Sequence, residues 1–156
     1  MRKVLVDELM FIEAFQRDEV FHDPCSQSAY LNLETGEVIW VFEGDDDAEM
    51  YAGIKPNENA DLREKIDESH ERYLQIPGRD HCEHHDILQE FLKSKWTDDE
   101  ELWIRARDAY SGSIGGWKDE VDNQDAVHAY YEFRDSRIKE LVEEFFQEHD
   151  IQPVWR

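Results

Sequence analysis

The sequence predicts an α+β protein: a small antiparallel β-hairpin or sheet in the N-terminal third, packed against four to five helices. Three observations carry this. Residues 28–42 hold two runs rich in β-branched and aromatic residues around a glycine-containing turn. From Asn59 onward, apolar residues recur at helical spacing. The strand patterns come first and the helical ones after, which is the order of an α+β fold rather than an alternating α/β one. The 156 residues suit a single domain, 1–156. A chain of this length buries roughly 70% of its unfolded surface and needs no disulfide or metal to do so.

Taken in order, Lys3–Val6 reads as a short strand that joins the hairpin. Asp7 follows as the N-cap of a short helix carrying Leu9, Met10, Ile12 and Phe15 to about Arg17. Phe21–Ser26 is a connection. Ala29–Leu33 and Val38–Phe42 form the two arms of the hairpin, with Tyr30, Asn32 and Glu34 alternating against Leu31 and Leu33. Residues 43–59 are acidic, contain Gly44, Gly53 and Pro56, and read as a surface loop with a helical turn near Ala48–Ala52. The triplet Asp45-Asp46-Asp47 lacks the alternate spacing and central glycine of a calcium loop. Asn59 is expected to cap a helix with Leu62, Ile66 and Tyr73, after which residues 74–78 turn the chain. Asp80 with Glu83 resembles a capping box that opens a helix with Ile87, Leu88, Phe91 and Leu92. Thr97 with Glu100 is a second such box, ahead of Leu102, Trp103, Ala106 and Ala109.

The last third holds the longest amphipathic pattern. At about 100° per residue, Val127, Tyr130, Tyr131, Ile138, Leu141, Val142 and Phe145 share one side. Glu132, Asp135, Ser136, Glu140, Glu143 and Gln147 lie opposite. Asn123 or Asp122 supplies the cap, and Pro153 stands beyond the helix end. Arg134 interrupts the apolar stripe. A buried guanidinium is costly unless paired, so Arg134 is either a structural arginine that pairs or lays its stem on the core, or an arginine that faces an anion or ligand. Ser111–Gly116 holds three of the seven glycines. It lacks the Gly-Lys-Ser/Thr ending of a phosphate loop, being followed by Trp117 and Lys118, and is expected to be a packing turn.

Charge sets the expected partners. Thirty-nine Asp and Glu against seventeen Lys and Arg give −22. Such a chain is repelled by nucleic acid and anionic membranes, both of which are bound through cationic contacts. The charge either keeps the chain soluble or suits it to a salt-rich host, or forms a docking surface for a basic protein partner, or imitates the charge of nucleic acid. The Asp7-Glu8 pair falls where a signal peptide continues its apolar run, and no stretch approaches the ~20 apolar residues of a membrane span, so a cytoplasmic location is expected. Cys25 and Cys82 are isolated and expected to be free thiols.

Residues 79–86, RDHCEHHD, are the densest set of metal-ligand types. His81 and His85 at i, i+4 share a helical face, as a zinc pair does. The register of the usual zinc-protease motif is off by one, and a third ligand has to come from elsewhere, such as Cys25 or His128. No nucleophile–base–acid set is legible, and no cofactor is expected.

Several segments together resemble an uncharacterised bacterial protein family of the UPF series, number zero-one-five-eight. They are Tyr30–Val38 (YLNLETGEV), Arg72–Pro77 (RYLQIP), the helix around Phe91, and Tyr131–Asp135 (YEFRD). The sequence departs from that family at Gly115-Gly116-Trp117-Lys118-Asp119, where the resemblance implies a Phe and a run with two arginines. It implies no known activity or catalytic residue. The function expected from the residues is a small acidic interaction or regulatory module, non-enzymatic, whose partner surface includes Trp117, Lys118, Tyr130 and Arg134. The alternative is an enzyme or anion-binding protein with a pocket near Gly112–Trp117 and Arg134, with a metal at His81 and His85.

Overall fold

The computed structural model describes residues 1–18 and 27–156, and the architecture is α+β. The expected connection at Phe21–Ser26, with Cys25, lies outside the described residues. The chain packs as two compact units, Met1–Arg79 with Val142–Arg156, and Asp80–Leu141.

In the first unit, β1 (Arg2–Val6) leads into α1 (Glu8–Gln16), capped as expected by Asp7, whose carboxylate accepts from the Met10 amide at 3.0 Å. β2 (Gln27–Asn32) and β3 (Val38–Phe42) are the predicted hairpin, with Ala29 opposite Trp40. Strand alternation sends Ala29 and Leu31 into the core and Ser28 and Tyr30 to the other face. The turn is held by Asn32, whose Oδ1 accepts from the amides of Glu34 and Thr35. Gly36 has φ +76°, and a Cβ there would lie 1.5 Å from the Leu5 carbonyl oxygen, so both the backbone angle and the close approach to β1 demand glycine.

α2 (Asp45–Ala52) replaces the single helical turn expected, with Asp45, Asp46 and Asp47 in its first turn, where the exposed amides favour negative charge. α3 (Pro56–Glu68) starts at the proline, whose fixed φ suits a first helical position. Asn59 is therefore not a cap; it sits inside the helix and is fully buried. β4 (Tyr73–Ile76), read from the sequence as a turn, pairs antiparallel with the free side of β2, making a three-stranded sheet in the order β3-β2-β4.

In the second unit, α4 (His81–Lys93) is capped by Asp80, which accepts from the Glu83 amide at 2.7 Å. α5 (Glu100–Asp108) is capped by Asp99 rather than Thr97, whose hydroxyl instead accepts from the Asp99 amide. Ser111–Gly116 is not a simple turn. Ser113 caps α6 (Ile114–Val121), and Gly115 and Gly116 fall in the first turn of that helix. α7 (Gln124–Glu148) is capped by Asn123, accepting from Ala126 at 2.9 Å. Leu88, Phe91, Ala106, Trp117, Val121 and Tyr130 form the core of this unit.

The last turns of α7 return to the first unit, where Phe146 packs 4.7 Å from Phe11 between ring centroids. β5 (Ile151–Trp155) then pairs in parallel with β1, Val4 opposite Pro153, so β1 does not join the hairpin sheet as the sequence suggested. The Asp150 carbonyl accepts from Arg2 and the Arg156 amide donates to Val6, so even-numbered residues of β5 face β1. Pro153 points its missing N–H away from β1, so the proline costs no ladder bond of this pair.

Candidate functional site

The structure gathers the four predicted binding residues into one cluster in the second unit, and buries half of it. Trp117 is fully buried and Tyr130 nearly so, which corrects the expectation that they form a partner surface. The Trp117 indole donates to the Ala106 carbonyl at 2.8 Å, capping the end of α5 where no helical amide follows. Its ring meets Tyr130 edge-on at 5.4 Å, and Tyr130 stacks on the exposed Tyr131 at 5.4 Å. Two cations converge on Tyr131. Lys118 donates to its hydroxyl at 2.8 Å, and the Arg134 guanidinium lies 5.9 Å from its ring centroid. The Arg134 Nε is buried and makes no hydrogen bond. Among the described residues, neither cation meets a carboxylate. Burial pushes the Tyr130 phenol above its ordinary pKa, and the charge of Arg134 opposes the shift.

His81 and His85 do share a face, with ring centroids 4.1 Å apart. His81 is exposed, whereas His85 is buried and joined through Nδ1 to the Tyr110 hydroxyl. Among the described residues, no group of three His, Cys, Asp or Glu is arranged to hold a metal ion. His128, one of the third ligands considered, is exposed on α7 and lies 3.1 Å from Glu132.

A second site escaped sequence reasoning. In the first unit, one face of β2 and β3 and the facing side of α3 enclose a cleft of about 290 Å³. Its construction starts at Asn59. The Oδ1 of this buried amide accepts from the Phe42 amide at 2.9 Å, and its Nδ2 donates to the Phe42 carbonyl at 3.0 Å and to Asp45 Oδ1 at 2.7 Å. Asn59 thus pairs with the edge of β3 as a neighbouring strand would, and fixes α3 against it. Arg63, one turn on, reaches the same Asp45 oxygen at 2.6 Å. The Asn59 amide, with help from Arg63, holds the Asp45 carboxyl below its ordinary pKa, against a smaller opposing desolvation.

Val41 and Ile66 give the cleft an apolar floor, while Ser28, Tyr30, Glu43 and Asp67 supply hydroxyls and carboxylates. Among the described residues, none of these four side chains makes a hydrogen bond or ion pair. Arg63 also lines the cleft; one of its terminal nitrogens is engaged by Asp45 while its Nε is buried without a hydrogen bond, so the lining carries the carboxylates of Glu43 and Asp67 against one guanidinium already paired outside it. Ser28, Tyr30, Glu43, Arg63 and Asp67 form no motif in sequence; only the pairing of β2 with β3 and the Asn59 clasp bring them together. No family model, no curated protein and no solved structure matches this chain.

Proposed function

We propose that the protein is a non-enzymatic acidic docking module for a basic protein partner, and that α3 carries the docking face. The supporting observation is the outer side of that helix and its exit. Glu58, Asp61, Glu64, Glu68 and Glu71 are all exposed, and none is paired with a cation among the described residues. Arg63 turns inward to Asp45 and Arg72, beside Glu71, pairs with Glu34, leaving Lys55 and Lys65 as exposed cations near them. Five carboxylates that outnumber the cations beside them repel one another and are relieved by a cationic surface. The resemblance noted in the sequence brings no assigned activity and adds no substrate to this proposal. No helix among the described residues is long and apolar enough to cross a membrane.

The test is fluorescence anisotropy of a labelled lysine-rich peptide at about 0.1 M and about 1 M salt, where the screening length falls from ~10 Å to ~3 Å. The proposal requires saturable binding at the lower salt that is largely lost at the higher. Absence of binding, or binding indifferent to salt, overturns it.

One observation favours a second function. Lys118 and Arg134 share the Tyr131 phenol and have no carboxylate partner among the described residues, in a chain with 39 acids. That pair is suited to an anion. Inorganic phosphate titrated into labelled protein would then shift the resonances of Lys118 and Tyr131 saturably, and an unchanged spectrum at high phosphate removes this alternative.

A further inference from the structure

We propose that the cleft between β2, β3 and α3 seats one lysine or arginine side chain of the basic partner; this rests on the docking function above and names its specific contact. Size is the first ground. At about 290 Å³ the cleft falls just short of the range of ligand pockets, which run from about 300 Å³ upward, and suits one extended side chain rather than a cofactor.

Charge is the second. Glu43 and Asp67 are unpaired carboxylates at its rim, and Asp45 already engages Arg63. A phosphate or carboxylate would meet two like charges, against one guanidinium, Arg63, whose charge Asp45 already balances. A purely apolar group would strip water from the hydroxyls and carboxylates and return no hydrogen bond. An ammonium or guanidinium answers both carboxylates. Its methylene stem matches the Val41 and Ile66 floor, since lysine and arginine lay their stems on apolar surface and keep the charged head among polar groups. The free hydroxyls of Ser28 and Tyr30 serve as acceptors for the remaining N–H groups. Tyr30 also offers a ring face to the cation.

The experiment uses capped single residues followed by amide chemical shifts: N-acetyl-lysine methylamide, N-acetyl-arginine methylamide, and N-acetyl-norleucine methylamide, which has an apolar stem and no charge. The two cationic probes are expected to shift Ser28, Tyr30, Glu43 and Asp67 saturably, and norleucine is not. Glu43→Gln/Asp67→Asn is expected to weaken the cationic probes by up to about tenfold, the upper end for two exposed ion pairs. Tyr30→Phe, which leaves every charge in place, is expected to weaken them by a smaller factor. The charge-matched control Asp119→Asn/Glu120→Gln, both exposed in the second unit, is expected to change nothing.

Equal shifts from norleucine, or equal losses from the control and cleft variants, overturn the proposal. If a lysine-rich peptide binds Glu43→Gln/Asp67→Asn as tightly as the native protein, the cleft assignment fails and the docking function stands. If that peptide does not bind while the single-residue probes saturate the cleft, the docking function fails and the proposed partner with it, and only the cleft's selectivity for a cationic side chain stands.

Discussion

Removing the Asn59 side chain tests how the cleft is built. In Asn59→Ala the Phe42 amide and carbonyl lose their partners at the edge of β3, and Asp45 loses its amide donor. Phe42 is only 4% exposed. A buried backbone group left unsatisfied costs about 1–3 kcal/mol, so two of them predict a loss of about 2–6 kcal/mol, less whatever water restores. With a urea slope of about 2 kcal/mol/M, a 3 kcal/mol loss moves the unfolding midpoint of the first unit down by about 1.5 M. Hydrogen exchange gives a local readout: the Phe42 amide should exchange roughly a hundredfold faster, since each 1.4 kcal/mol is about a factor of ten. Asn59→Asp is the sharper variant. One carboxylate oxygen still accepts from Phe42, but the other faces the Phe42 carbonyl and the Asp45 carboxylate with no proton to give. It should be destabilised at pH 7 and recover as acid protonates it. A midpoint shift below about 0.3 M for Asn59→Ala, or an Asn59→Asp protein of native stability at pH 7, would refute the clasp.

Three further outcomes follow from the same structure. Gly36→Ala should cost roughly 3 kcal/mol or more by urea unfolding, because a Cβ collides with the Leu5 carbonyl and the left-handed backbone adds about 1–2 kcal/mol; a fully stable variant would show that the turn does not abut β1. The Asp45 carboxyl is held low by Asn59, so the stability it contributes is complete above the ordinary carboxylate pKa and is lost as pH falls through its depressed value. Asp45→Asn should therefore flatten the acid end of the stability profile, and an unchanged acid limb contradicts this. Burial raises the Tyr130 pKa and the positive charge of Arg134 restrains it, so in Arg134→Met the Tyr130 phenol should ionise at still higher pH, followed by ultraviolet difference titration; an unchanged or lowered titration contradicts the pairing.

The parts of the fold that were legible are those written as local periodicity or local capping. The hairpin announced itself in alternating Tyr30, Leu31 and Asn32. α1, α4 and α7 announced themselves in Asp7, Asp80 and Asn123 ahead of apolar stripes. β4 and β5 were not legible because each is four or five residues long and borders or contains a proline, Pro77 or Pro153. The parallel pairing of β1 with β5 joins the two ends of the sequence, and no local pattern encodes so distant a partner. α6 was missed because Gly115 and Gly116 lower helix propensity, yet the Ser113 cap and the burial of Trp117 outweigh that cost.

The candidate sites divide the same way. Lys118 and Arg134 were singled out from sequence and do converge on one tyrosine, but the aromatic character that suggested a surface at Trp117 and Tyr130 serves the core instead. His85 likewise turns inward to Tyr110. The cleft could not be read at all: its groups are single, ordinary residues on two strands and a helix, joined by one buried asparagine whose side chain looked from the sequence like a cap.

The most direct test of the docking function is where a basic ligand lands. Binding of the labelled lysine-rich peptide should be compared between Asp61→Asn/Glu64→Gln/Glu68→Gln on α3 and Asp119→Asn/Glu120→Gln/Asp125→Asn in the second unit, two variants that remove the same charge from exposed positions. The α3 variant should lose most of the affinity at about 0.1 M salt while the control keeps it, because screening confines each charge to roughly its own 10 Å neighbourhood. Equal affinities in the two variants would mean that the peptide responds to net charge alone, and would contradict α3 as the docking face.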